Sequence, residues 1–206
     1  MARDTHSITK MSRREGYALH PKAAKIMVKR ASVTPGQKAR GGRRAAVSQY
    51  ALQLREKQKV KRLYGLLERQ FANLMTEANR KKGQSGAVLL QLLERRADNV
   101  VYRAGFATSR RAARQLVTHG HFMLNGRRVD IPSIRLSAGD VLTVRPRSME
   151  TEYFKKLDVI TGNVDVTVSW LKANRKKFEI TVTGEPSRDE AEPEINEQLI
   201  VEYYSR

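Results

Sequence analysis

Cysteine is absent from the 206 residues, which removes disulfides and every thiolate-based zinc site. No run approaches the roughly 20 apolar residues that span a bilayer. The start, Met1-Ala2-Arg3-Asp4-Thr5-His6, lacks the apolar stretch of a secretory signal. A cytoplasmic protein is the simplest expectation, although the basic start would also suit a trimmed organellar one. Acidic residues are the other shortage, 21 against 40 Lys+Arg, for a formal net charge of +19. Such a surplus opposes compaction and is ordinarily tolerated because a polyanion neutralises it. Nucleic acid leads, since each cation that meets a phosphate releases a condensed counterion. An anionic membrane and an acidic protein come second and third. The 40% hydrophobic fraction is enough for a core and argues against wholesale disorder.

The charge is unevenly placed. Residues 1–47 carry 12 basic against 2 acidic, or +10; residues 48–82 carry 9 against 3, or +6; residues 83–147 carry 11 against 4, or +7. Residues 148–206 carry 8 against 12, or −4. The binding surface is expected in the first three quarters, and the acidic tail Glu185 to Glu202 is expected to face solvent or a basic surface.

The first 47 residues have little periodicity. Thr34-Pro35-Gly36 reads as a turn, and Lys38-Ala39-Arg40-Gly41-Gly42-Arg43-Arg44 as a flexible basic arm that orders on its ligand. Gly36-Gln37-Lys38-Ala39-Arg40-Gly41 is not a phosphate loop, because Gly42-Arg43 stand where Lys and Ser/Thr are needed. From Ser48, a plausible N-cap, a long amphipathic helix is predicted, with Tyr50, Leu54, Val60, Leu63, Tyr64, Leu67, Phe71, Leu74, Met75 and Ala78 mostly three or four apart. Lys81-Lys82-Gly83 is its stop. Ser85 is expected to cap a second helix with Val88, Leu89, Leu92 and Leu93 as its apolar set.

The segment from Arg96 to Val144 carries the strongest signal. Asp98 can cap a short helix ended by Gly105. Thr108 or Ser109 can cap another, Arg110 to Val117, ended by Gly120. There Ala113, Leu116 and Val117 are spaced for the core, while Arg110 and Arg114 are i,i+4 neighbours on another face. Loss of those arginines is therefore expected to spare the fold. Asn125-Gly126 between Phe122-Met123-Leu124 and Arg127-Arg128-Val129 predicts a hairpin on a type I′ turn. Ser137-Ala138-Gly139-Asp140 turns into a strand over 141–144. Further on, 164–168, 178–182 and 199–203 read as strands, and Trp170 as a core anchor rather than a base-stacking platform.

These residues resemble a known family. Glu94-Arg95-Arg96-Ala97-Asp98-Asn99-Val100-Val101-Tyr102-Arg103-Ala104-Gly105-Phe106, then Thr108 to Val117, then Asn125-Gly126, resemble the RNA-binding module first described in small-subunit ribosomal protein S-four. Gln53 to Phe71 is similar to the long helix of the bacterial-type S-four family. Ser12-Arg13-Arg14-Glu15-Gly16, Pro35-Gly36-Gln37 and Ile195 to Ser205 are similar to other parts of it. The resemblance implies early binding to the 5′ domain of 16S rRNA, nucleation of small-subunit assembly, and a place where mRNA enters, beside S-five and S-three types of protein, with a role in translational accuracy. It implies mRNA as a further partner and no membrane or small-molecule substrate.

The expected fold is α+β: a mostly helical N-terminal domain, an inserted module of two helices and a small twisted antiparallel sheet, and a short strand-containing C-terminal region. The expected segments are a basic arm 1–47, a helical domain 48–95, the RNA-binding module 96–147, and an acidic region 148–206 packing back on the helices. A-form RNA is read mainly through shape, sugar and phosphate, and the arginine fork suits phosphate. Arg110, Arg111 and Arg114 are the first-rank candidates, with Ser109 offering donors at a helix N-terminus. Asn125 and Arg127 follow. Arg13, Arg14, Lys38, Arg40, Arg43, Arg44, Arg55, Lys59 and Arg62 form a second surface. Surface solubility is the bland alternative for any one of them. An RNA-modifying enzyme would need a catalytic domain, and 148–206 is short and has no catalytic constellation. His119 and His121 have no evident third ligand, so neither metal nor cofactor is expected.

Overall fold

The computed structural model describes residues 4–30, 35–36, 47–162 and 168–205. Its helices are α1 (Ile8–Glu15), α2 (Pro21–Arg30), α3 (Gln49–Leu63), α4 (Glu68–Arg80), α5 (Ser85–Glu94), α6 (Ala97–Arg103), α7 (Arg110–Thr118), α8 (Pro146–Met149), α9 (Glu152–Lys155), α10 (Leu157–Thr161) and α11 (Glu197–Tyr204). Its strands are β1 (Phe122–Leu124), β2 (Arg127–Val129), β3 (Val141–Val144), β4 (Leu171–Asn174) and β5 (Glu179–Val182). The α+β organisation expected from the sequence is present. The chain divides into two compact units, Met1–Leu89 with Glu194–Arg206, and Leu90–Pro193.

In the helical unit the long amphipathic pattern is cut in two. Gly65 adopts φ 65°, and its N–H donates to the Arg62 carbonyl at 3.2 Å while Leu66 N–H donates to Lys61 at 2.9 Å. This is a Schellman cap closed by a left-handed glycine, so α3 and α4 fold as separate helices. The caps are partly as expected. Ser48 Oγ accepts from Ala51 N–H at 3.2 Å, whereas Val88 N–H donates to Gln84, so Ser85 is the first residue of α5 and not its cap.

The segment 199–203 is helix rather than strand. Asn196 caps α11 by accepting from Gln198 N–H at 3.1 Å. Ile200, Tyr203 and Tyr204 then fall on one side at helical spacing: Ile200 is buried, Tyr203 lies on Tyr50 of α3 and Tyr204 on Phe71 of α4. A Cβ on Gly86 would come within 2.6 Å of Glu197 Cγ, so only glycine permits this approach of α5 and α11.

The second unit holds a five-stranded antiparallel sheet in the order β2-β1-β3-β5-β4. Registers Phe122↔Val129, Phe122↔Val144, Leu142↔Ile180 and Ala173↔Ile180 put Phe122, Leu142, Val144, Ile180 and Val182 into one core with Val100, Val101, Phe106, Ala113 and Val117 of the α6–α7 region. Phe154 meets Phe122, Phe178 and Tyr153 edge-on, a favoured quadrupole arrangement. Trp170 is buried in this core. The strand expected over 164–168 lies, apart from Val168, outside the described residues, while β4 is a strand the pattern did not announce. The segment 148–206 does not stay together: β4 and β5 extend the sheet of the module, and only 194–206 joins the helices.

Candidate nucleic-acid interface

The module is shaped by its turns. Ser109 caps α7 by accepting from Ala112 N–H at 3.2 Å, which commits one lone pair of its buried hydroxyl. At the other end Gly120 (φ 69°) closes the helix, with its N–H on the Val117 carbonyl and His121 N–H on Leu116. The hairpin has φ 48° at Asn125 and 82° at Gly126, as a type I′ turn requires. Asn125 also braces β3: its Oδ1 accepts from Val141 N–H at 2.9 Å and its amide donates to Asp140 at 2.8 Å.

The candidate arginines fall into two groups. Arg110 donates through Nε to Asn99 Oδ1 at 2.8 Å and through Nη2 to Glu192 at 2.7 Å, and its guanidinium lies 4.6 Å over the Tyr102 ring. Glu94, with a side chain only 1% exposed, accepts two hydrogen bonds from Arg103 and one from Asn99. Arg114 lies 3.8 Å from Asp98, and burial lowers its pKa. Asp98 is clasped by two nitrogens of Arg96 at 3.0 and 2.9 Å. It stands inside α6, whose N-cap is Arg96, so it is an ion-pair partner rather than the expected cap. Arg111 and Arg127, by contrast, are exposed and have no ion-pair partner among the described residues. Arg128, not singled out in the sequence, is exposed beside Arg127 and packs its guanidinium over Gly120.

In the helical unit, Arg55 and Arg62 both meet Glu15, whose side chain is fully buried. Burial pushes the Glu15 pKa up against the pull of Arg55, Arg62, Arg14 and Lys59. Lys59 meets Glu56 at 2.8 Å and donates to the Glu194 carbonyl at 2.8 Å. Arg13 is half-buried and Arg14 exposed, both in the last turn of α1. Lys38, Arg40, Arg43 and Arg44 lie outside the described residues. Missed from sequence were the carboxylates Glu15, Glu94 and Glu192 as arginine partners. Long-range pairings leave no local spacing signal.

His119 and His121 have ring centroids 6.1 Å apart, and His121 Nδ1 is 3.0 Å from Ser148 Oγ. Burial, followed by His119 and Arg145, lowers the His121 pKa. Among the described residues no group of three metal-ligating side chains converges, and no helix is long and apolar enough to cross a membrane.

Residues 3–94 match the family described as the Ribosomal protein S4/S9 N-terminal domain, and residues 95–142 match the S4 domain. The chain is 51% identical to the small ribosomal subunit protein uS4 of Herpetosiphon aurantiacus and 50% identical to that of Chloroflexus aurantiacus, over the whole of each chain. It is also 48% identical, again over both full lengths, to the small ribosomal subunit protein uS4A of Clostridium botulinum. The chain belongs to the uS4 family. It is a structural, RNA-binding component of the small ribosomal subunit and not an enzyme. As a ribosomal component it is cytoplasmic in a bacterial cell. Within the uS4 framework the S4-domain match covers α6, α7, the β1–β2 hairpin and the start of β3. It stops short of β4 and β5.

Proposed function

We propose that this uS4 protein is a primary binder of the 5′ domain of 16S rRNA that nucleates small-subunit assembly. In this reading it stands near the path by which mRNA enters, beside S-five-type and S-three-type proteins, and contributes to translational accuracy there. The observation that carries the reading is the division of labour among the cations of the module. Arg110 and Arg114 are held by carboxylates of the same unit, whereas Arg111 and Arg127 are exposed and have no ion-pair partner among the described residues. Within the module, phosphate contact therefore falls to Arg111 and Arg127; the basic composition of the N-terminal segment adds Arg13, Arg14, Lys38, Arg40, Arg43 and Arg44 as further contacts. Ser109, Arg110, Arg114 and Asn125 hold the surface in shape, as Arg55, Lys59 and Arg62 do in the helical unit. Exposed arginine forks on a surface whose shape is held by the paired residues suit the sugar–phosphate shape of an RNA junction better than base-edge reading.

The test is competition binding of the full chain to separate transcripts of the 16S rRNA domains at fixed salt and magnesium. The 5′-domain transcript should bind at least tenfold tighter than the others. Equal affinity for all domains would sink the assignment. The assembly role is read in reconstitution: withholding this protein should reduce the uptake of proteins added later.

A further inference from the structure

We propose that the β4–β5 hairpin and the adjoining α9 form a second RNA-phosphate surface, outside the S4-domain match and within the region that averages acidic. Residues 148–182 carry 6 basic against 5 acidic and residues 183–206 carry 2 against 7, so the acid is concentrated after the end of β5. The eight residues from Leu171 to Phe178 contain Lys172, Arg175, Lys176 and Lys177 and no acid.

Packing gathers these cations with those of α9. The rings of Phe154 and Phe178 are 6.0 Å apart; Lys155 and Lys156 follow the first ring and Lys176 and Lys177 precede the second. Arg175 ties the hairpin down, donating to Asp158 Oδ1 at 3.2 Å, Thr161 Oγ1 at 3.3 Å and the Gly105 carbonyl at 3.1 Å. The turn is fixed by Lys177 N–H on Asn174 Oδ1 at 3.1 Å and by Phe178 in a left-handed conformation, φ 52°. The described acids of this stretch are Glu150 at the C-cap of α8, Glu152, which meets Lys156 at 2.5 Å, Asp158, which is held by Arg175, and Glu179 at the start of β5. Lys155, Lys172, Lys176 and Lys177 are all exposed and have no ion-pair partner among the described residues. A rigid tip therefore carries unneutralised ammonium groups.

Lysine on an edge strand such as β4 can simply discourage strand pairing, and that accounts for Lys172. It does not account for Lys155, Lys176 and Lys177, which lie in a helix and a turn. An acidic protein partner fits less well than RNA. Protein interfaces are depleted in lysine and built on aromatic anchors, and here the aromatic rings of Phe154 and Phe178 are turned into the core. Point-charge ammonium groups on a projecting tip suit the regularly spaced phosphates of an RNA backbone, read without sequence.

The experiment uses the full chain and complete 16S rRNA, so it does not depend on which rRNA domain is bound. The triple variant Lys155→Gln, Lys176→Gln, Lys177→Gln should lower the log–log salt slope of binding by about 2, and affinity near 0.1 M salt roughly a hundredfold, because each lost phosphate contact removes about 0.7–0.9. The triple Lys→Arg variant should bind like the parent. Lysine acylation should be suppressed at these three positions in the complex, a readout independent of any variant. An unchanged slope with unprotected lysines would overturn the proposal. So would unchanged rRNA binding accompanied by loss of binding to anionic vesicles or to other small-subunit proteins.

Discussion

A carboxylate oxygen of Glu192 stands 2.7 Å from the Arg110 guanidinium, although 82 residues separate them in the chain. Arg110 is 12% exposed and Glu192 18%, so the pair is largely withdrawn from water. Glu94, Arg103, Asn99 and Tyr102 surround it, with Asn99 bridging Arg110 and Glu94. Removing one member of a buried pair leaves the other charge uncompensated, which costs more than the pair itself contributes.

Arg110→Ala should therefore destabilise the protein by about 2–3 kcal/mol, a little below the value for a fully buried pair because both side chains keep some water. Arg111→Ala should change stability by less than about 0.5 kcal/mol and weaken rRNA binding by roughly 1.5–3 kcal/mol. Urea unfolding and rRNA titration of both variants separate the two effects. Equal stability of the two would show that the Arg110 network does not hold the module.

The Lys57–Glu68–Tyr204 cluster gives the helical unit a pH signature. Lys57, 4% exposed, meets Glu68 at 2.6 Å and lies 4.4 Å over the Tyr203 ring; Tyr204 donates to Glu68 at 2.9 Å. Burial opposes the Glu68 charge, but the hydrogen bonds from Lys57, Lys61 and Tyr204 outweigh it and lower the pKa to about 2. Burial and Glu68 together push the Tyr204 hydroxyl up. A carboxyl depressed in the folded state binds fewer protons there than when unfolded. Its stabilisation is present above about pH 4.5 and lost as pH falls towards 2. Glu68→Gln should flatten that part of the stability-against-pH curve. Parallel curves for the variant and the parent would refute it.

What the sequence made readable was local: the Ser48 and Ser109 caps, the Asn125-Gly126 turn, the 141–144 strand, and a family resemblance that runs from Ser12 to Ser205. Other readings failed or were incomplete because the deciding features leave no trace in local spacing. The apolar pattern ran unbroken through Gly65, yet a left-handed glycine cap needs no change in hydrophobic period. Leu199-Ile200-Val201 is β-branched enough to look like strand, but the Asn196 cap and the Tyr50 and Phe71 rings select helix. Spacing ranks Arg110 and Arg114 with Arg111 for phosphate contact and gives no sign of their partners, Glu192 and Asp98, because these lie on other elements. The arm residues Lys38, Arg40, Arg43 and Arg44 lie beyond the described residues.

Two glycines of the module separate strain from crowding. Gly126 has φ 82° and open space where a methyl group would stand, whereas at Gly120, with φ 69°, a Cβ would come 2.7 Å from Arg128 Nε. Gly126→Ala should cost about 1 kcal/mol from backbone strain alone. Gly120→Ala should cost at least as much and should also displace Arg128, so rRNA affinity should fall for Gly120→Ala only. Identical rRNA affinities for the two variants, measured beside their urea midpoints, would show that displacing Arg128, the exposed neighbour of Arg127, does not disturb binding.

Binding to 16S rRNA should weaken steeply with salt. A surface that neutralises Z phosphates gives a log–log slope of about −0.7Z to −0.9Z. Arg111 and Arg127, together with the +10 carried by residues 1–47, predict a slope of several units. Charge that is already paired within the protein releases no rRNA counterions, so the total of +19 overstates the slope. Arg111→Ala and Arg127→Ala should each reduce it by nearly one unit, whereas Arg188→Ala, set among acids in the C-terminal segment, should leave it unchanged. The measurement is a titration of each variant across a salt series with magnesium held constant, and circular dichroism to confirm folding. A flat salt response in the parent protein would reject phosphate contact as the main source of affinity. A slope unaffected by Arg111→Ala and Arg127→Ala would move the interface off the module and onto the N-terminal cations.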